Sequence, residues 1–116
     1  MARTEPEASD VIRYEDMFSA IGTEPRLRIM RMLLAAHPDG MVVGELQAEL
    51  GTGASTLSHH LDKLRNEGLV KVHREGTFLR YLVDTDALRE LLGFLYAECC
   101  TRNQAVKPEA IVRIGK

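Results

Sequence analysis

Apolar positions along the chain change period once, and that change divides it into elements. From Ser9, "SDVIRYEDMFSAIG" places Val11, Tyr14, Met17, Phe18 and Ile21 at helical spacing, and Gly22 ends the run. A second helix is expected over "TEPRLRIMRMLLAA". Thr23 or Glu24 caps it, Pro25 sits in its first turn, and Leu27, Ile29, Met30, Leu33 and Leu34 form its apolar face. "HPDG" reads as a turn. "MVVGELQAELG" predicts a short helix with Leu46 and Leu50 inward, closed by Gly51. After the tight link "GTGAS", "STLSHHLDKLRNEG" predicts a helix. Its buried edge is Leu57, Leu61 and Leu64, and Gly68 stands at its C-terminus.

Beyond Gly68 the period drops to two. "LVKVHR" and "FLRYLV" alternate as half-buried strands, and "EGT" turns the chain between them. "DTDALRELLGFLYAECC" returns to helical spacing, with Leu88, Leu91, Leu92, Leu95 and Cys99 on one stripe. The expected order is four helices, a hairpin and a last helix. That is a mainly α, α+β architecture with a β-hairpin wing: a winged helix-turn-helix. Residues 1–8 are polar and expected to fray, 9–100 form the domain, and 101–116 are a polar tail on which no structure is imposed.

Composition adds little to this picture until charge is divided along the chain. The 116 residues are 45% hydrophobic and 28% charged, ordinary values for one globular domain. No apolar run approaches a membrane span, and "MARTEPEASD" has no apolar core of a secretory signal, so the cytoplasm is the expected location. The net charge is −2, which does not describe a generally basic nucleic-acid binder. Residues 54–81, however, carry five Lys or Arg against three Asp or Glu, a local +2, while the rest carries ten against fourteen, or −4. A basic segment on an acidic body fits a protein that touches DNA with one face.

The helix after "GTG" presents Ser55, Thr56, Ser58, His59 and Lys63. Short hydroxyls and amines at a helix start suit base edges and phosphates in a major groove, while the leucines anchor the other side. The hairpin adds Arg74 and Arg80, suited to phosphates or the neighbouring minor groove. The blander reading makes the hydroxyls helix caps and the arginines solvated strand ends. His59 and His60 are adjacent on a helix, about 100° apart, and so do not converge on one ion. His60 is expected to pack or bond within the motif, with His59 facing out. Nothing in the chain pairs a nucleophile with a base, cradles a phosphate or sets two catalytic carboxylates together, so an enzyme is not expected.

The only two cysteines, Cys99 and Cys100, are adjacent. Neighbouring cysteines close a disulfide only through a strained ring, so free thiols are expected in a reducing compartment. They could be packing, since Cys99 continues the apolar stripe. They could be a thiol-reactive or redox switch, or a site for a ligand that wants two thiolates.

The stretches "EPRLRI", "STLSHHLDKLRNEGLV" and "REGTFLRYLV" resemble the ArsR/SmtB family of metal-responsive bacterial repressors, over roughly residues 10 to 100. The resemblance implies a homodimer held mainly by the first and last helices. It also implies a repressor on double-stranded operator DNA that leaves when an inducer binds. Many arsenic, cadmium or lead sensors of the family carry a Cys-Val-Cys pair before the recognition helix, where this chain has "MVVGELQ" without cysteine. Zinc and nickel sensors place Asp and His along the last helix, which here has Asp84, Asp86, Glu90 and Glu98 but no histidine. What remains is Cys99 and Cys100, similar to the adjacent pair of one branch of arsenic sensors. That branch usually has a third cysteine, and this chain has none.

Trivalent arsenic is soft and selects thiolates. Arsenite offers three positions to sulfur, whereas methylarsenite has one blocked by carbon and two left. Two cysteines therefore match an organoarsenical better than arsenite. Arsenite keeping a hydroxide, antimonite, and a thiol-reactive signal stay open as alternatives, as does a protein-interaction module on the same fold. No constitutive cofactor is expected.

Overall fold

The computed structural model describes residues 8–103. The expectations for residues 1–7 and for the tail from 104 onward fall outside them. The elements run α1 (Ala8–Ile21), α2 (Glu24–Ala35), β1 (Met41–Val42), α3 (Val43–Leu50), α4 (Ala54–Asn66), β2 (Val70–Glu75), β3 (Phe78–Val83) and α5 (Thr85–Tyr96). The three strands form one antiparallel sheet in the order β1-β3-β2. Five helices and a small sheet make an α+β winged helix-turn-helix.

Local chemistry explains the boundaries. Thr23 caps α2 with its hydroxyl accepting from the Arg26 amide at 3.4 Å, and Asp84 caps α5 through the Ala87 amide at 3.0 Å. Behind α4, Gly68 takes φ 75°. Its amide bonds the Arg65 carbonyl at 2.9 Å, and the Leu69 amide bonds that of Leu64 at 3.0 Å. That pair of bonds is a Schellman closure and turns the chain straight into β2. Leu57, Leu61 and Leu64 of α4 are buried with Ile29 and Leu33 of α2, Leu46 of α3, Leu69 and Leu91 of α5. One leucine-rich core thus seats the helix-turn-helix against the sheet and the last helix.

Four expectations are corrected. Met41 and Val42 are not helical: they form β1, pairing with Tyr81 and Arg80 of β3. Gly40 permits this with φ 72°, because a Cβ there would lie 2.2 Å from the Tyr81 carbonyl oxygen. Leu50 is only half-buried. On α2, Leu27 is 50% exposed and Leu34 38% exposed, so the buried stripe is narrower than the leucines suggested. Finally, α5 stops at Tyr96. Leu95 is 60% exposed, and Cys99 and Cys100 lie in turns beyond the helix rather than on its stripe.

The first and last helices lie together. The rings of Tyr14 and Phe94 stack at 4.4 Å between centroids, and Arg13 pairs with Glu90 at 3.5 Å. Val11 and Ile12 on α1 stay 47% and 57% exposed. Among the described residues no helix is long and apolar enough to cross a membrane.

Candidate nucleic-acid interface and thiol site

The outer side of α4 is polar from its start. Ser55, Thr56, Ser58, His59 and Lys63 are all exposed, while Leu57, Leu61 and Leu64 point into the core. The hydroxyls are not caps: Gly53 is the N-cap residue and no side chain bonds to it. The first amides of α4 therefore face outward without a side-chain acceptor, which is how a helix start meets a phosphate. Immediately before it, the Thr52 hydroxyl oxygen is buried and has no hydrogen-bond partner among the described residues.

His59 and His60 diverge as their spacing requires. His59 is exposed, whereas His60 is half-buried with Nδ1 3.2 Å from Nη1 of Arg26. A guanidinium only donates, so Nδ1 accepts and the ring proton sits on Nε2. Burial first, then the positive charge of Arg26 and then His59, lowers the His60 pKa, so the ring is held neutral. Arg26 also donates from Nε to the Ala20 carbonyl. Nothing in apolar periodicity singles out Arg26; its only signal is its place inside "EPRLRI".

The wing is a two-residue hairpin turning at Gly76, φ 62°. Arg74 is exposed, opposite Leu79. Arg80, expected near the hairpin's end for phosphate or minor-groove contact, pairs with Val42 on one side and His73 on the other. It lies in the middle of the three-stranded sheet, donating from Nε to Glu75 Oε2 at 3.0 Å and from Nη1 to the Asp39 carbonyl at 3.3 Å. It ties the wing to the turn after α2, and a phosphate contact would have to displace those partners.

The thiols meet. The Cys99 amide bonds the Tyr96 carbonyl at 2.8 Å, continuing the end of α5 as a turn. Cys100 then takes φ 64°, the left-handed region that costs a non-glycine residue energy. This reversal brings the two Sγ atoms to 3.1 Å. The hydrogen bond with Cys99, then burial, then the charge of Cys99 raises the Cys100 pKa above that of an ordinary thiol. Cys100 lines a cavity of about 370 Å3 with Glu98, Thr101, Arg102 and Asn103. Among the described residues no group of three or more His, Cys, Asp or Glu side chains could hold a metal ion. What the described residues bring together here is two sulfurs, which are soft donors.

An exposed polar helix face, a leucine-anchored helix-turn-helix and a short wing define a winged helix-turn-helix. Comparison with known proteins gives the same class. Residues 22–73 match the model of a helix-turn-helix domain. The transcriptional activator HlyU of Vibrio cholerae is 33% identical over 88 residues, 76% of this chain and 79% of that protein. Its structure superposes with a TM-score of 0.63 over 78% of this chain and 99% of that one. A protein of Halobacterium salinarum named, provisionally, as the arsenical resistance operon repressor ArsR2 is 34% identical over 79 residues, 68% of this chain and 65% of that protein. The homodimeric winged helix-turn-helix domain Mb0332 of Mycobacterium bovis shares the fold at 22% identity, with a TM-score of 0.65 over 92% of this chain and all of that one. The chain belongs to the ArsR/SmtB family of DNA-binding transcriptional regulators.

Proposed function

We propose that the protein is a homodimeric repressor of an arsenic-resistance operon, and that it leaves its operator when trivalent arsenic bridges Cys99 and Cys100. The observation that carries the inducer is the 3.1 Å approach of the two sulfurs. Consecutive residues on a helix would splay them about 100° apart. The turn after Tyr96 instead aims both at one point, and a left-handed residue away from any glycine is the kind of strain kept at functional sites. With no third cysteine in the chain, methylarsenite fills the site and arsenite leaves one position to hydroxide.

On the DNA side, Ser55, Thr56, Ser58 and His59 meet base edges and phosphates, and Lys63 and Arg74 are exposed cations for phosphates. Arg80 shapes the wing from within the sheet. The dimer forms through α1 and α5, where exposed Val11, Ile12 and Leu95 flank the stacked Tyr14 and Phe94. It sets the two recognition helices roughly 34 Å apart, one turn of DNA. The thiols follow directly on α5, so a ligand that binds the DNA-free dimer more tightly acts on the dimer interface itself. A coupling of about 1–3 kcal/mol is enough for induction.

The test is fluorescence anisotropy of a labelled duplex selected by the reduced protein from a random-sequence pool, titrated with methylarsenite, arsenite, antimonite and peroxide. Release by arsenicals supports the reading. Release by peroxide alone transfers the pair to a redox role. Release by none returns the cysteines to packing.

A further inference from the structure

We infer that Arg26 is a positioning residue for DNA recognition, tying the recognition helix α4 to the end of α1 through His60 and Ala20. The inference rests on the reading of DNA by α4 proposed above. Three elements meet at this one side chain. Its backbone lies in the first turn of α2, fastened by the Thr23 cap. Its Nε donates to the Ala20 carbonyl in the last turn of α1, and its Nη1 donates to His60 Nδ1 on α4 at 3.2 Å.

Each contact has a physical reason. The last carbonyls of a helix have no partner within it and carry the negative end of its dipole, so a guanidinium is a fitting partner for Ala20. A guanidinium is also planar, with donors diverging at fixed angles, and can serve two acceptors at once without losing geometry. His60 offers an acceptor because it is neutral, which its environment enforces.

The consequence concerns the roll of α4. Leu57, Leu61 and Leu64 set how deeply the helix is seated. Apolar contact is non-directional, however, and resists rotation about the helix axis weakly. The bond to His60 is directional. It lies next to His59 and within about one and a half turns of Ser55, Thr56 and Ser58, so fixing His60 fixes where those groups point. The other end of the link is α1, which carries Val11 and Ile12 and stacks on α5. Arg26 therefore relates the DNA-reading face to the helix proposed to hold the dimer.

The experiment measures binding to the selected duplex over a range of salt for Arg26→Lys, His60→Phe, the double variant and His60→Asn, with helix content and melting temperature recorded for each. Lysine keeps the charge but cannot fork, and asparagine retains an acceptor near the position of Nδ1. Loss of a charge-assisted hydrogen bond predicts about tenfold weaker binding for Arg26→Lys and for His60→Phe. The double variant is predicted to be no worse than either single one, His60→Asn to stay near the native protein, and the salt slope to stay unchanged. Native-like binding by Arg26→Lys overturns the inference. Losses that add in the double variant also overturn it, because the two residues then act separately. A slope reduced by about 0.9 overturns it as well, since Arg26 then touches phosphate itself. If Arg26→Lys fails to fold, His60→Phe against His60→Asn still decides: equal loss in both means that the acceptor does not matter. A native protein that selects no duplex removes the DNA-reading proposal and this one with it, whereas selection followed by native-like variants removes this one alone.

Discussion

The sulfur of Cys99 lies 3.1 Å from that of Cys100 because Cys100, the second of the pair, has a left-handed backbone at φ 64°. Under the proposed function, the two thiols would chelate together only while that turn holds. Cys100→Ser leaves a single thiolate, and the loss of an intramolecular second bond predicts about 100-fold weaker binding of methylarsenite. Operator affinity of the reduced variant is predicted to stay within about twofold of native, since neither cysteine lies on α4 or the wing. Isothermal titration with methylarsenite, beside anisotropy without it, checks both halves.

Sensitivity to the inducer is predicted to be level in pH below the thiol range and to fall above it. Contact with Cys99 raises the Cys100 pKa, which favours the protonated thiol around neutral pH. Methylarsenite carries two hydroxides, and each thiol proton leaves with one of them as water, so binding to protonated thiols releases no net proton. The inducer concentration for half-release should therefore stay level from about 6.5 toward the ordinary thiol value of about 8.5 and rise beyond it. A steep fall in that concentration across the same range would contradict exchange of hydroxide for thiol at this pair.

The cationic side chains are predicted to separate by salt dependence. Lys63 and Arg74 are exposed and have no ion-pair partner among the described residues, so replacing either by alanine should lower the slope of log affinity against log salt by about 0.9. Arg80 is already engaged by Glu75 and the Asp39 carbonyl. Its replacement is expected to leave the slope unchanged and to lower the melting temperature instead. A salt series on the three variants distinguishes the two classes.

Gly40→Ala is predicted to destabilise the fold. The left-handed backbone costs alanine about 1–2 kcal/mol, and the added Cβ would sit 2.2 Å from the Tyr81 carbonyl oxygen. The β1–β3 pairing must then open. A fall of about 10 °C or more in melting temperature is expected for a domain of this size. Gly44→Ala, where a Cβ meets nothing within 4 Å, is the control.

Much of this architecture was legible in the spacing of apolar residues. Leu57, Leu61 and Leu64 announce the buried side of α4, and the change of period after Gly68 announces the hairpin, because each pattern repeats for several residues. Short features carry no period. "MVV" reads equally as helix or strand, and only the approach of Gly40 to Tyr81 decides for β1. The stripe from Leu88 runs to Cys99 by count alone, yet α5 ends at Tyr96 with Leu95 exposed. Arg26 and Arg80 were not legible as structural links, since a charged residue in sequence looks alike whether it faces water or ties three elements together. Leu27 and Leu34 look like core by type but are exposed on the single chain.

The most direct test is release of the selected duplex by methylarsenite and by arsenite, followed by anisotropy with the reduced native protein and with the Cys99→Ser/Cys100→Ser variant. The prediction is release of the native protein at a lower concentration of methylarsenite than of arsenite, and no release of the variant by either. Release that survives loss of both thiols would contradict the assignment of the inducer site to Cys99 and Cys100.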